Sequence, residues 1–282
     1  WERYGASRIV ETPVSEEGFT GVAVGAAMMG LRPVVEIMYG DFLTLASDPL
    51  VNHAAKACFM SGGTISCPLV VRTPVGSGSG HGSQHTQSLE SMLTNIPGLK
   101  VVAPATVDDA YVLLASAIAD NGPVVFLEHR MLYAMEGDVV SAGKVEALGK
   151  AAVRRVGGDI TLISYSRALQ TCLQAAELLV AEGIDAEVID LRTLIPLDVE
   201  TLRQSVRRTG RVLIVHDAPL RGGFGGEVAA SLVEDPQTFA ALQVPVARLC
   251  GKDLPIPFSR TLEESVVPTV EKVMEQVRLM LQ

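Results

Sequence analysis

The feature that most limits what this chain can fold into is a recurring alternation. Short β-branched runs are each followed by a stretch with helical patterning. In the first half the runs fall at residues 34–37 (Val-Val-Glu-Ile), 69–71 (Leu-Val-Val), 100–102 (Lys-Val-Val) and 124–127 (Val-Val-Phe-Leu). Helical patterns occupy residues 21–29, 51–60 and 108–119 between them. Such alternation requires a parallel sheet, because parallel neighbours need a crossover and a helix supplies it. A further short strand is expected at Arg8-Ile9-Val10, leading into the Gly/Ala-rich helix at 21–29. Asp48 can cap the helix at 51–60, and Pro49 can sit in its first turn.

The same rhythm restarts after residue 158. Strands are expected at 160–164, 186–190 and 212–216. Helices are expected at 169–182, ended by Gly183, at 196–207, ahead of Gly210, from Glu227, and at 266–281. Residues 134–158 mix charges and glycines and read as a connection. The expected fold class is therefore α/β with two doubly wound domains, 1–135 and 158–282, joined by a linker over 136–157. A chain of 282 residues that is 48% hydrophobic can bury two ordinary cores.

A formal net charge of -9 argues against a nucleic-acid partner or an anionic membrane surface. The longest apolar runs are strand-sized, so no membrane span is expected. The first residues do not resemble a signal peptide and there is no initiator Met, so the start is read as trimmed. Four scattered cysteines (58, 67, 172, 250) form no Cys-x-x-Cys pair and fit a reducing compartment, the cytoplasm or, in a eukaryote, the mitochondrial matrix.

Three places could carry chemistry. Gly222-Gly-Phe-Gly-Gly226 lies between strand and helix, but it is not Gly-x-Gly-x-x-Gly and reads as a close-approach turn. Gly76-Ser-Gly-Ser-Gly-His-Gly82 follows a strand and carries His81, with His85 just beyond. It is either an active-site loop or a disordered surface segment. The two histidines lack a third ligand at metal-site spacing, so proton transfer suits them better than metal binding. No Gly-x-Ser-x-Gly elbow supports a serine hydrolase. Third, Glu16 stands where the first expected strand gives way to a helix. That is a usual ligand position in α/β sheets, and equally a usual place for a first-turn glutamate that favours the helix dipole.

The run Glu-Thr-Pro-Val-Ser-Glu-Glu-Gly-Phe-Thr-Gly-Val-Ala-Val-Gly-Ala-Ala at 11–27 resembles the beta subunit of thiamine-diphosphate-dependent 2-oxo acid dehydrogenases, the family of the pyruvate, branched-chain 2-oxo acid and acetoin enzymes. Further stretches agree in order: Gly30-Leu-Arg-Pro-Val-Val-Glu36, Asn52-His-Ala-Ala-Lys56, Gln84-His-Thr-Gln87, Pro97-Gly-Leu-Lys-Val-Val102, Val188-Ile-Asp-Leu-Arg192, Thr209-Gly-Arg211 and Gly222-Gly-Phe224. The resemblance spans nearly the whole chain. It implies a thiamine-diphosphate pyrimidine-binding domain followed by a transketolase C-terminal-type domain.

It also implies roles. Glu16 would contact N1′ of the cofactor's aminopyrimidine. That contact favours the imino tautomer, whose 4′-imine removes the weakly acidic thiazolium C2 proton. Glu17 would face solvent. Phe42, in Tyr39-Gly-Asp-Phe42, would stack on the pyrimidine. His85 would serve acyl transfer to a lipoyl group, with His81 a weaker candidate. A structural potassium ion would be held by Leu69, Ala117, Ile118, Asp120 and Gly122, mainly through carbonyl oxygens. Gly122 departs from the Asn of some relatives. Relatives carry a further strand and helix before Trp1, and without them an edge of the first sheet would lack its usual cover.

The Gly-Asp-Gly…Asn motif that binds diphosphate and Mg2+ is absent here, and in the family it lies on the alpha subunit. The implied assembly is an alpha2–beta2 heterotetramer with active sites at alpha–beta interfaces. The C-terminal domain would supply beta–beta contacts and dock a lipoylated acyltransferase. A split transketolase shares the domain pair and is the alternative; a non-catalytic scaffold is a third reading. The substrate stays open, because Leu220-Arg-Gly-Gly-Phe224 leans to the branched-chain members and Glu128-His-Arg-Met-Leu-Tyr133 to the acetoin or pyruvate members.

Overall fold

The computed structural model describes residues 1–282. The first half contributes α1 (Glu16–Met28), β1 (Val34–Glu36), α2 (Ala55–Met60), β2 (Val70–Val75), α3 (Glu90–Thr94), β3 (Lys100–Val102), α4 (Val107–Ala119) and β4 (Val124–His129). The second contributes β5 (Ala152–Arg155), β6 (Ile160–Ser164), α5 (Ser166–Leu179), β7 (Ala186–Asp190), β8 (Thr193–Ile195), α6 (Val199–Thr209), β9 (Val212–Pro219), α7 (Gly225–Val233), α8 (Pro236–Ala241), β10 (Ala247–Gly251), α9 (Arg260–Glu264) and α10 (Val270–Leu281). Two five-stranded sheets result, in the orders β1-β2-β4-β3-β8 and β10-β9-β6-β7-β5. All pairings are parallel except β3–β8 and β5–β7, one at an edge of each sheet.

The central strands are buried on both faces: β6 and β7 are buried at every residue, including the polar Thr161, Ser164, Glu187 and Asp190. Helix α6 shows the complementary logic. Leu202, Ser205, Val206 and Thr209 face inward, Asp198 caps its start by accepting from the Thr201 amide, and Gly210 ends it at φ 68°.

Several expectations need correction. Residues 8–10 form no strand, and Val10 is 74% exposed. Helix α1 starts earlier than its apolar pattern, at Glu16. The expected helix at 51–60 begins as a π-helical turn, Pro49–Ala54, before α2. Asp48 does not cap it; its carboxylate accepts from Asn52 Nδ2 at 2.7 Å and lies 3.3 Å from His53 Nε2. The segment 136–157 is not all connection, since its end forms β5. Most consequential is β8. It comes from the second half but pairs with β3 of the first sheet, with Val101 opposite Ile195 and Val102 opposite Thr193. The halves thus share a sheet, and their largest apolar cluster runs through both, from Ala23 and Leu50 to Val206 and Leu232.

Candidate active site

Four strands of the first sheet are parallel, so the segments leaving β1, β2 and β4 emerge on one edge, where α/β proteins bind ligands. After β1 comes a 3-10 turn, Gly40–Thr44. Gly40 is needed there, because a Cβ would stand 2.5 Å from Val75 Cγ1. The turn presents Tyr39 and Phe42. After β2 comes the glycine-rich loop with His81 and His85, and after β4 comes Arg130.

These side chains meet. The His85 ring lies edge-on to Tyr39, centroids 4.6 Å apart, and to Phe42 at 5.4 Å. Tyr39 and Phe42 are themselves 5.8 Å apart, edge to face. Arg130 lies over the Tyr39 ring at 4.7 Å, with Nη1 3.2 Å from His81 Nε2. His81 Nδ1 is 2.7 Å from Ser79 Oγ. Buried Asp41 ties the turn to the loop, accepting from the Gln87 side-chain amide at 2.7 Å. The sequence-derived pair Phe42 and His85 is therefore brought together, and His81 joins it.

Glu16 begins α1. The short connection 29–33 returns the chain to the start of β1, so the first turn of α1 lies toward the edge at which β1 ends. Its side chain is 8% exposed, and no side-chain hydrogen bond or ion pair within the chain reaches it. Glu17, by contrast, is exposed. Its carboxylate oxygens keep contact with solvent and have no partner within the chain, so they are free to accept a hydrogen bond from outside it.

The glycine loop is not a free surface segment. Gly76, Gly78, Gly80 and Gly82 all have left-handed φ, at 86°, 108°, 70° and 75°. Side chains rarely tolerate that, so the alternation of glycine is a conformational requirement. The loop lies against the second domain: Ser83 Oγ donates to the Ile256 carbonyl at 2.7 Å, and a Cβ on Gly82 would strike Phe258. The Gly78 and Gly80 amides donate to the Glu263 carboxylate at 2.6 and 3.0 Å.

Beneath the loop the end of β4 meets the end of β9. His129 Nε2 and Asp217 Oδ2 are 3.3 Å apart, without an aligned hydrogen bond, and Arg167 stands 3.5 Å from the same oxygen. Burial works against the Asp217 charge, but the attraction of His129 and Arg167 outweighs it and its carboxyl lies below the usual range. Tyr165 donates to Glu90 at 2.6 Å across the domains. Burial pushes the Glu90 carboxyl up, with the Tyr165 bond only partly opposing it, and Tyr165 rises well above a normal phenol. His216 stacks on Tyr165 and approaches Cys250 Sγ at 3.3 Å. Burial lowers its pKa to about 4 and raises the Cys250 thiol to about 11, so this pair is no nucleophile.

The residues read as a cation site gather at one end of the first sheet. The Leu69 carbonyl accepts from Val124 at 2.8 Å, and that of Ala117 from Asp120 at 3.3 Å. Arg32 donates to the carbonyls of Ile118, at 2.7 Å, and Asp120. The Asp120 side chain pairs with Lys100 and accepts from the Gly122 amide.

Residues 1–136 match the transketolase pyrimidine-binding domain and residues 149–273 the transketolase C-terminal domain. The chain is 44% identical to the pyruvate dehydrogenase E1 component subunit beta of Drosophila melanogaster, over 98% of this chain and 76% of that one. It is 41% identical to the Bos taurus counterpart, over 99% and 78%, and 42% identical to that of Rhizobium meliloti, over 98% and 60%. The chain belongs to the beta subunits of the thiamine-diphosphate-dependent 2-oxo acid dehydrogenases. A solved structure, a split-gene transketolase as an inactive beta4 tetramer, shares the fold of this 2-oxo acid dehydrogenase beta subunit, with a TM-score of 0.81, 24% identity, and 99% of this chain and 85% of that one covered. No helix in it is long and apolar enough to cross a membrane. The insect and bovine relatives are named as mitochondrial and the bacterial one is not.

Sequence reasoning missed Tyr39, Arg130 and Glu263 as parts of this edge. Tyr39 lies three residues before Phe42 in the same Tyr-Gly-Asp-Phe run. Arg130 could have been found as the basic residue just past a strand's carboxyl end. Glu263 carried no local signal, because its partners lie 183 and 185 residues away.

Proposed function

We propose that Glu16, Phe42 and His85 are this chain's share of the active site of a pyruvate-cleaving, two-subunit 2-oxo acid dehydrogenase. The observation that carries the proposal is the Phe42–His85 ring contact at the carboxyl edge of the first sheet, with Glu16 at the start of α1 unpaired within the chain. That environment fits thiamine diphosphate. Glu16 would accept a hydrogen bond from N1′ of its aminopyrimidine, and Phe42 offers an apolar ring surface. When bound, the cofactor supplies the electron sink that lets a 2-oxo acid lose carbon dioxide. Glu16 biases the ring's proton distribution, and a low-dielectric setting strengthens that contact. The lipoyl disulfide is the oxidant: one sulfur would take the acyl unit as the S–S bond breaks, His85 would give the proton that the second sulfur needs to become a thiol, and Tyr39 keeps the His85 ring edge-on.

Mg2+ and the diphosphate fall to an alpha subunit, so the working unit is an alpha2–beta2 heterotetramer that passes its acyl group to a lipoylated acyltransferase. A potassium ion at the carbonyls of Leu69, Ala117 and Ile118, with Asp120 and Gly122, would have to displace Arg32 from the Ile118 and Asp120 oxygens and Lys100 from the Asp120 side chain. Pyruvate is favoured over branched-chain acids and acetoin because the 41–44% identical relatives above, aligned over 76–78% of their own length, are pyruvate dehydrogenase subunits.

The test is a heterotetramer reconstituted with Glu16→Gln and offered pyruvate, 3-methyl-2-oxobutanoate, acetoin or a ketose phosphate, with a lipoyl domain or an aldose phosphate as acceptor. Wild type should prefer pyruvate and the lipoyl acceptor. The variant should lose at least about a hundredfold in kcat. Turnover near wild type by Glu16→Gln would sink the reading, and sugar-phosphate turnover would move it to a split transketolase.

A further inference from the structure

We infer that Glu263, in the second domain, is a positioning residue for acyl transfer: its carboxylate is a built-in anion that sets the loop carrying His81 and His85. The inference rests on the proposed role of His85.

Backbone amides in alternating left-handed segments turn inward and make a concave nest that binds anions. The loop has four such glycines in alternate positions, and its Gly78 and Gly80 amides converge on the two oxygens of one carboxylate. Glu263 is fully buried and is in no ion pair, so those two amides are what compensate its burial. The nest is therefore filled from within the chain and is not open to a phosphate. Next to it, His81 reaches Arg130, while His85 N donates to the Gly82 carbonyl at 3.3 Å and the His85 ring packs on Tyr39. A shift of the amide pair is thus passed to both histidines within a few residues. The second domain, through α9, sets the geometry of a site built on the first.

The experiment uses the holo heterotetramer with Glu263→Gln, Glu263→Asp and His85→Ala, pyruvate as substrate and an isolated lipoyl domain as acceptor. Three quantities are read: hydrogen exchange of the loop amides, decarboxylation with an artificial electron acceptor, and transfer to the lipoyl domain. Gln replaces one acceptor oxygen by a donor facing an amide, so Glu263→Gln should lose loop protection. Its transfer should fall by roughly tenfold or more while decarboxylation stays within about twofold. Glu263→Asp keeps the charge but is shorter, and should give a smaller loss of the same kind; it serves if the Gln variant does not assemble. Equal loss in both half-reactions would mean a merely structural role and overturn the inference. So would unchanged loop exchange. If His85→Ala transfers normally, the role of His85 fails instead, and the loop-exchange result still decides whether Glu263 orders the nest.

Discussion

Glu16 and His216 show how burial gives opposite meanings to two ionisable side chains. Glu16 is 8% exposed as a residue, yet its carboxylate has no partner within the chain and stays free for the donor proposed above. His216 is buried among Tyr165, Cys250 and the glycines of the turn after β9, and a Cβ on Gly223 or Gly225 would collide with its ring. Its environment excludes charge, with a pKa held near 4 by desolvation. Both states are neutral above the ordinary histidine value. As pH falls from about 6.5 to about 4 only the unfolded chain takes the proton, so stability falls over that window by an amount on the order of 3 kcal/mol. In thermal melts across that range, His216→Gln should flatten the dependence of Tm on pH. An unchanged slope would show that another group governs it.

At the scale of elements, most central strands were legible because strands buried on both faces are rich in β-branched and apolar residues, as at 124–127 and 160–164, while the edge strand β10 was not expected. The start of α1 was not, because Glu16 to Thr20 has no apolar periodicity and the helix is set by packing further along. β8 and β5 were hidden for another reason. Thr-Leu-Ile and Ala-Val-Arg-Arg are too short to declare themselves, and β8 gains its strand identity only from β3, some ninety residues away. Among the candidate site residues, Phe42 and His85 were singled out through resemblance, and their contact with each other came only from the structure. Between α3 and β3, Gly98 stands at φ 100° with the Ala55 carbonyl where a Cβ would be. Gly98→Ala should therefore lower stability by about 2 kcal/mol or more, read as a drop in the denaturant midpoint. The cation cluster at the end of α4 gives a second check. Potassium chloride should raise the Tm above that in choline chloride of equal ionic strength, and Asp120→Ala should abolish the difference.

For the molecule as a whole, the carboxyl ends of β4 and β9 face one another across the His129–Asp217 contact, and the candidate site lies against that junction. On the proposed reading the chain holds half of a cofactor site and an alpha subunit supplies the rest. The chain alone should bind thiamine diphosphate too weakly to saturate by calorimetry, and addition of the alpha subunit with Mg2+ should restore stoichiometric binding. Tight binding by the isolated chain would contradict the assignment of the diphosphate to the partner.

The pairing of β8 with β3 also bears on how the protein is made. During synthesis the amino-terminal sheet has four strands available once residue 129 is complete, but its β3 edge stays open until residue 195 has been added. An uncovered strand edge on a nascent chain invites pairing with a neighbour. A fragment ending at residue 136 should therefore aggregate during translation, and so should one ending at residue 209, whose β6 edge still awaits β9, whereas residues 1–282 cover both edges and should stay in solution. The order in which the ribosome releases this chain is thus coupled to the moment at which its first sheet becomes safe.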